Sequence, residues 1–221
     1  MLRIIIQLLL WLFPWRVRRL LLNGIFGYEI DPLARIGFSI ILSKRLILHS
    51  NSYIGHLSFF KGLSLLRISE FGRVGNLNWV TAAPQESRFF SSEIGRIPAF
   101  LLGAQSAITH RHLIDCTNTV SIGCFSILGG WGSQILTHAI DLKASKQLSA
   151  PVTIGDYCFI GTRVVLLKGS KLPNYSVLAA GSVLSRDFND QYFVYGGCPA
   201  TKAKPLEKDY AYFSRTTGVV N

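Results

Sequence analysis

The 221-residue sequence predicts an all-β chain wound as a triangular solenoid, and a six-residue period carries that prediction. From Ile154 an aliphatic residue recurs at every sixth position: Ile154, Ile160, Leu166, Leu172, Leu178 and Leu184. Four places after each of the first five stands a small or β-branched residue, namely Cys158, Val164, Ser170, Ser176 and Ser182. The spacing returns upstream in Ile30 and Ile36, in Leu48, Ile54 and Phe60, in Val74, in Leu102, Ile108 and Ile114, and in Ile122 and Leu128. A helix needs a period of about 3.6 and a plain strand a period of two. Six suits short flat strands joined by corners, with each aliphatic residue turned inward onto its counterpart one coil away. Composition agrees, because 49% hydrophobic residues and a mean hydropathy of +0.32 exclude a disordered or collagen-like chain.

Three segments follow. Residues 1–28 carry Arg3, Arg16, Arg18 and Arg19 and no acid, within a chain of net charge +11. The run from Ile4 to Phe13 is apolar except for Gln7, about half of what spans a bilayer. Arginines, not a small-residue cleavage site, come next. With Trp11 and Trp15 beside it, the segment reads as a broken amphipathic helix lying in an anionic membrane surface. The alternative is a helix packed on the body of the protein. Residues 29–187 make the solenoid, interrupted by an irregular insertion at about 81–101 and a loop at 139–150 with Lys143 and Lys146. A loop ejected beside a histidine, here His138, is where function is sought. In the tail, 188–221, Gly196 to Ala200 reads as a turn and Tyr210 to Phe213 as a short closing helix.

Cys116, Cys124, Cys158 and Cys198 form no CxxC pair, which reads as free thiols in a reducing compartment. The expectation is therefore a cytoplasmic protein, peripheral on the inner face of the cell membrane. The positive charge calls for an anionic partner. No basic stripe interleaved with aromatics occurs outside the N-terminus, so nucleic acid is not expected.

The hexads, with His112-Leu-Ile-Asp115, Ser133-Gln-Ile-Leu-Thr-His138, Ile154-Gly-Asp, Ile160-Gly161, Ala180-Gly-Ser-Val183 and Gly197-Cys-Pro-Ala200, resemble the hexapeptide-repeat acyltransferases, in particular polysaccharide and sugar O-acetyltransferases. That resemblance implies a left-handed parallel β-helix, a homotrimer and acetyl-CoA as co-substrate. It implies direct acetyl transfer to a sugar hydroxyl of a polysaccharide or glycolipid precursor, the acceptor being a sugar or lipid-linked sugar. His138 matches the catalytic histidine, and imidazole is the side chain best suited to take a hydroxyl proton near neutral pH.

For the cofactor, the resemblance puts the pantetheine arm along Gly161, Thr162, Ala180 and Ser185, with Arg186, Lys202 and Lys204 meeting the phosphates. Cys198 and Thr201 depart from the family pattern around Pro-Ala, so the cation comes one or three residues later. His112, Asp115, Trp131 and Gln134 are the candidate acceptor pocket, although His112 also reads as a brace and Trp131 as a plugged coil end. No metal is expected: His110 and His112 lack the His-x4-His spacing of the zinc hydratases that share this repeat. The competing readings are a non-catalytic trimeric scaffold or binding module and, behind it, that zinc hydratase.

Overall fold

In the computed structural model, which describes residues 1–220, the hexads build three parallel sheets that wrap one core. Sheet A begins with Glu29–Ile30 and ends with Lys171–Leu172, and sheet C runs from Ile40–Leu42 to Val183–Leu184. Sheet B starts at Arg35–Ile36 and is closed by an antiparallel hairpin of Phe193–Gly197 and Ala200–Pro205. Each strand pairs in parallel with its equivalent one coil away, so inward residues form three vertical ladders. Ile30, Leu48, Ile68, Leu102, Ile122, Ile154 and Leu172 line sheet A, and all are buried. Sheet B contributes Ile36, Ile54, Val74, Ile108, Leu128, Ile160 and Leu178. Sheet C adds Ile41, Phe60, Val80, Ile114, Ile135, Leu166 and Leu184. The architecture is a parallel β-helix.

The lower end of the rod would expose unpaired strand edges, and the N-terminal segment covers them. It forms two helices, α1 (Leu2–Leu10) and α2 (Trp15–Phe26), broken at Pro14. Leu10, Leu22 and Phe26 join the core. Polar side chains stand in for a missing coil. Gln7 pairs with both the N–H and the C=O of Ile41, at 2.8 and 2.6 Å, on the open edge of sheet C. Arg18 donates to the carbonyls of Ile36 and Gly37 on sheet B, and Arg19 and Asn23 donate to that of Ile30 on sheet A. Burial pulls the Arg18 guanidinium down to about 10, so it stays charged at neutral pH. The N-terminal segment therefore packs on the end of the rod as a cap. Its outward side still exposes Leu2, Ile5, Leu9, Leu12, Phe13 and Leu20. Among the described residues no helix is long and apolar enough to cross a membrane.

One of the two interruptions differs from expectation in form. The segment 139–150 is not a loop but, from His138 onward, an antiparallel hairpin of His138–Asp141 and Lys146–Ser149. The insertion at 81–101 is irregular, with a 3-10 turn at Arg88–Phe90, and its last residues already belong to the strand Ala99–Leu102, while Tyr210 to Phe213 closes the chain in the short 3-10 helix Ala211–Phe213. Both excursions leave the rod at the same corner, between sheets C and A: the first follows Trp79–Thr81 and the second follows Gln134–Ile135, two coils higher. That shared corner positions the site.

Candidate active site

One coil separates the two excursions at the C–A corner, and it ends in Asp115. Asp115 is buried, and hydrogen bonds occupy its carboxylate. Oδ1 accepts from the N–H and hydroxyl of Thr117, at 3.1 and 2.6 Å. Oδ2 accepts from the N–H and hydroxyl of Thr137 one coil above, at 2.9 and 2.7 Å, and pairs with His138 Nδ1 at 2.8 Å. Burial alone would raise the Asp115 pKa; the bonds from His138, Thr117 and Thr137 outweigh it and bring it to about 2. A carboxylate only accepts, so Nδ1 of His138 carries the hydrogen and Nε2 bears a free lone pair. The hydrogen bond to Asp115 raises the His138 pKa above its ordinary value, against a smaller opposing effect of burial. The His138 side chain is 41% exposed and so can meet a ligand. A buried carboxylate behind a half-exposed imidazole fixes its tautomer and stabilises its protonated form, which is what a general base requires.

The insertion 81–101 reaches up across the intervening coil and packs on this pair. Phe90 lies edge-on to the His138 ring, centroids 5.8 Å apart. Arg96, buried, holds the insertion together: it donates to the carbonyls of Ala83, Pro84 and Gln85 and to that of Thr117, and stacks 4.7 Å over Phe90. Glu93 Oε2 accepts from the N–H and hydroxyl of Ser149, at 2.9 and 2.5 Å, which ties the insertion to the His138 hairpin. Phe90, Glu93 and Arg96 were not singled out from sequence. The usable signal was positional: coil counting places both interruptions at one corner.

The residues proposed from sequence fall into separate groups. Asp115 does not line an acceptor pocket, because its oxygens face Thr117, Thr137 and His138. His112 is buried inside the B–C corner, where Nε2 meets Thr109 Oγ1 at 3.0 Å and Nδ1 accepts the Ser133 N–H at 3.2 Å. Burial lowers its pKa to about 4, so it is a neutral brace. Trp131 is half-exposed at that same corner beneath the Arg111 guanidinium, on the edge of sheet C opposite His138. Gln134 is exposed on the outer face of sheet C between the two edges.

Of the proposed cofactor residues, Gly161, Thr162 and Ala180 share Trp131's edge. A Cβ at Gly161 would lie 2.6 Å from Ala180 N, so coil stacking by itself demands that glycine. Thr162 Oγ1 accepts from Trp131 N and donates to Trp131 O. Ser185 and Arg186 follow Val183–Leu184 on His138's edge, two coils and hence about 10 Å higher. Lys202 and Lys204 sit on the closing hairpin, where Lys202 pairs with Asp190 at 2.7 Å and Lys204 is exposed. Within one chain, then, Gly161, Thr162 and Ala180 lie at one edge of sheet C, Ser185 and Arg186 at the other, and Lys202 and Lys204 on the hairpin that closes sheet B.

The remaining histidines of this corner are structural. His56 Nδ1 accepts the Phe38 N–H and His110 Nδ1 the Asn76 N–H. Among the described residues no three His, Cys, Asp or Glu side chains gather as a metal site.

No protein-family model matches the chain. It is 37% identical over 75 residues to a putative acetyltransferase of Saccharomyces cerevisiae, YJL218W, a match covering 33% of this chain and 38% of that protein. It is 26% identical over 152 residues to the putative acetyltransferase YvoF of Bacillus subtilis, covering 68% of this chain and 80% of that one. Among solved structures, the polysialic acid O-acetyltransferase OatWY superposes with a TM-score of 0.62 at 17% identity, over 86% of this chain and 90% of that one. The chain is similar in fold and in sequence to the hexapeptide-repeat acetyltransferases.

Proposed function

We propose that the protein is an acetyl-CoA-dependent O-acetyltransferase acting on a sugar hydroxyl of a polysaccharide or glycolipid precursor. The observation that carries this reading is the His138–Asp115 pair at 2.8 Å, which leaves Nε2 free beside a cleft. Nε2 takes the hydroxyl proton as the sugar oxygen attacks the thioester carbonyl, and Asp115 holds the resulting imidazolium. The C–S bond then breaks, and the departing thiolate receives that proton from Nε2. Transfer is direct, with no acyl-enzyme. Gly161, Thr162, Ala180 and Ser185 border the pantetheine track, and Arg186, Lys202 and Lys204 meet the phosphates. Incubation with acetyl-CoA and a panel of sugar acceptors should release free thiol only when an acceptor is present; release that ignores the acceptor, or none with any, overturns the reading.

The active form is a homotrimer of left-handed β-helices. Two features support it. Gly161 and His138 lie on opposite edges of sheet C, so a thioester held at one edge reaches a histidine only from a neighbouring copy. Sheet C also turns an apolar stripe outward, with Phe59 and Trp79 in contact at 5.8 Å and Trp79 and Leu113 exposed. The outward side of α1 and α2, apolar with Arg3 and Arg16 exposed and no acid, is suited to an anionic membrane surface, which would present a lipid-linked acceptor. Binding to anionic vesicles should fall with salt, and Leu9→Asp with Leu12→Asp should abolish it.

A further inference from the structure

Building on that reading, we infer that the acceptor is an anionic sugar, held in the cleft between the insertion and the His138 hairpin by Arg88 and Lys146. The cleft encloses about 600 Å³ and is bounded by Arg88, Phe89 and Ser92 on one side and Ile140, Lys146 and Gln147 on the other. It adjoins the base on both walls. Arg88 and Phe89 belong to the 3-10 turn whose third residue, Phe90, touches the His138 ring. On the hairpin, Ile140 follows His138 by two residues, so both side chains point to one side of the strand, and Gln147 stands directly opposite Ile140. A ligand filling this cleft therefore lies beside the Phe90–His138 contact.

The lining chemistry selects the ligand class. Phe89 is 66% exposed and offers an aromatic face of the kind that packs on the apolar face of a pyranose. Ser92 and Gln147 supply donors and acceptors for hydroxyls. The two charges are both positive, and neither Arg88 nor Lys146 has an ion-pair partner among the described residues. The nearby acids are engaged in hydrogen bonds of their own. Asp141, across the hairpin from Lys146, accepts from the N–H groups of Lys143 and Ala144, and Glu93 accepts from Ser149. Two cations without an ion pair, with Arg88 stacked 5.5 Å over one face of Phe89, suit a sugar ring carrying a carboxylate or a phosphate. Neither His112 nor Asp115 contributes to this cleft, which moves acceptor recognition from the coil interior to the two excursions.

The test is binding, read separately from transfer. The full chain is titrated with trigalacturonate, with its methyl ester, in which the same sugars lack charge, and with glucose 6-phosphate. The wild type should bind the acid at least ~10-fold more tightly than the ester, since a charge-assisted hydrogen bond is worth a factor of this order. Arg88→Gln with Lys146→Gln should erase that preference. Lys143→Gln, which removes the same charge from the hairpin turn outside the cleft, should keep it. Competition by glucose 6-phosphate extends the anion to phosphate; trigalacturonate bound without such competition assigns a carboxylate. Equal binding of acid and ester, binding of neither anion, or a preference that survives the double substitution overturns the inference. If the preference is present and lost as expected while no acceptor releases thiol from acetyl-CoA, the transferase reading fails and the anion site stands.

Discussion

The two edges of sheet C are made of the same kinds of residue and do opposite things with them. At the B–C edge His56, His110 and His112 each spend a ring nitrogen accepting a backbone N–H from Phe38, Asn76 and Ser133. Asn76 and Thr162 do the same for His56 and Trp131. The corners of a stacked coil leave N–H groups that no strand can pair, and a polar side chain from the next coil satisfies them. At the C–A edge the Asp115 carboxylate performs that task for the N–H groups of Thr117 and Thr137, and His138 is left over. It donates to the carboxylate and keeps Nε2 free. Reactivity here is decided by what the other ring nitrogen does, more than by the residue type.

That contrast is sharpest in the histidines themselves. His138→Ala should lower turnover by about 10²- to 10⁴-fold, the usual worth of a positioned proton-transfer group, at a modest cost in stability because Asp115 keeps its bonds from Thr117 and Thr137. His112→Ala should do the reverse. It strands the Ser133 N–H and the Thr109 hydroxyl in a buried corner, costing about 1–3 kcal/mol in denaturant unfolding, while kcat of the folded enzyme holds. If His112→Ala removed turnover without loss of stability, the division between the edges would collapse.

Asp115 should have the next largest effect, and its pH signature separates orientation from packing. The raised His138 pKa puts the acid limb of the kcat/KM profile above the ordinary imidazole value, because only the neutral ring is a base. Asp115→Asn removes the charge that holds the proton, so the limb should move to lower pH while turnover drops by about 10²-fold or more as the tautomer is lost. An unmoved limb would show that Asp115 acts only on Thr117 and Thr137. Stability follows the same linkage. The depressed Asp115 pKa contributes stability above the ordinary carboxylate range, which disappears as pH falls toward 2. The raised His138 pKa contributes below about 6.5 and is lost as pH rises through the folded value. Both describe one interaction and are counted once.

The rod was legible from sequence because its signal is repeated. The hexad residues from Ile30 to Leu184 are buried ladder positions, and a strict period forces one answer. Ile135 escaped because it stands seven places after Leu128, which slides the register, whereas Ile68 and Val80 keep the six-residue spacing on either side of Val74. The motif singles out His138 but not its partner: a carboxylate three residues after His112 gives no hint that Asp115 points at a residue 23 positions later. The insertion was read as a gap in the pattern. Its contribution, Phe90 against His138 and Glu93 against Ser149, depends on two excursions meeting across a coil, which a local pattern does not encode. The N-terminal cap shows the same limit, since Gln7 reads as a flaw in an apolar run until the open edge at Ile41 is known.

The clasp between insertion and hairpin should matter less than Asp115 and more than any single corner cap. Glu93→Gln weakens the bonds to Ser149 without disturbing the core, so kcat/KM should fall about tenfold, as expected for a slight misplacement of a reacting group, with melting hardly moved. The smallest effect tests the quiet edge. His110→Ala removes one acceptor from the Asn76 N–H at an exposed corner that water can reach, so the cost should be about 1 kcal/mol or less. Its pH–rate profile should overlay the wild type, because the lost imidazole lies at the corner opposite His138. A shifted profile would mean that the B–C edge of one copy faces the His138 of another closely enough for His110 to influence its proton. That would turn the contrast drawn within one chain into contact between copies, and His110 would then belong to the environment of the base.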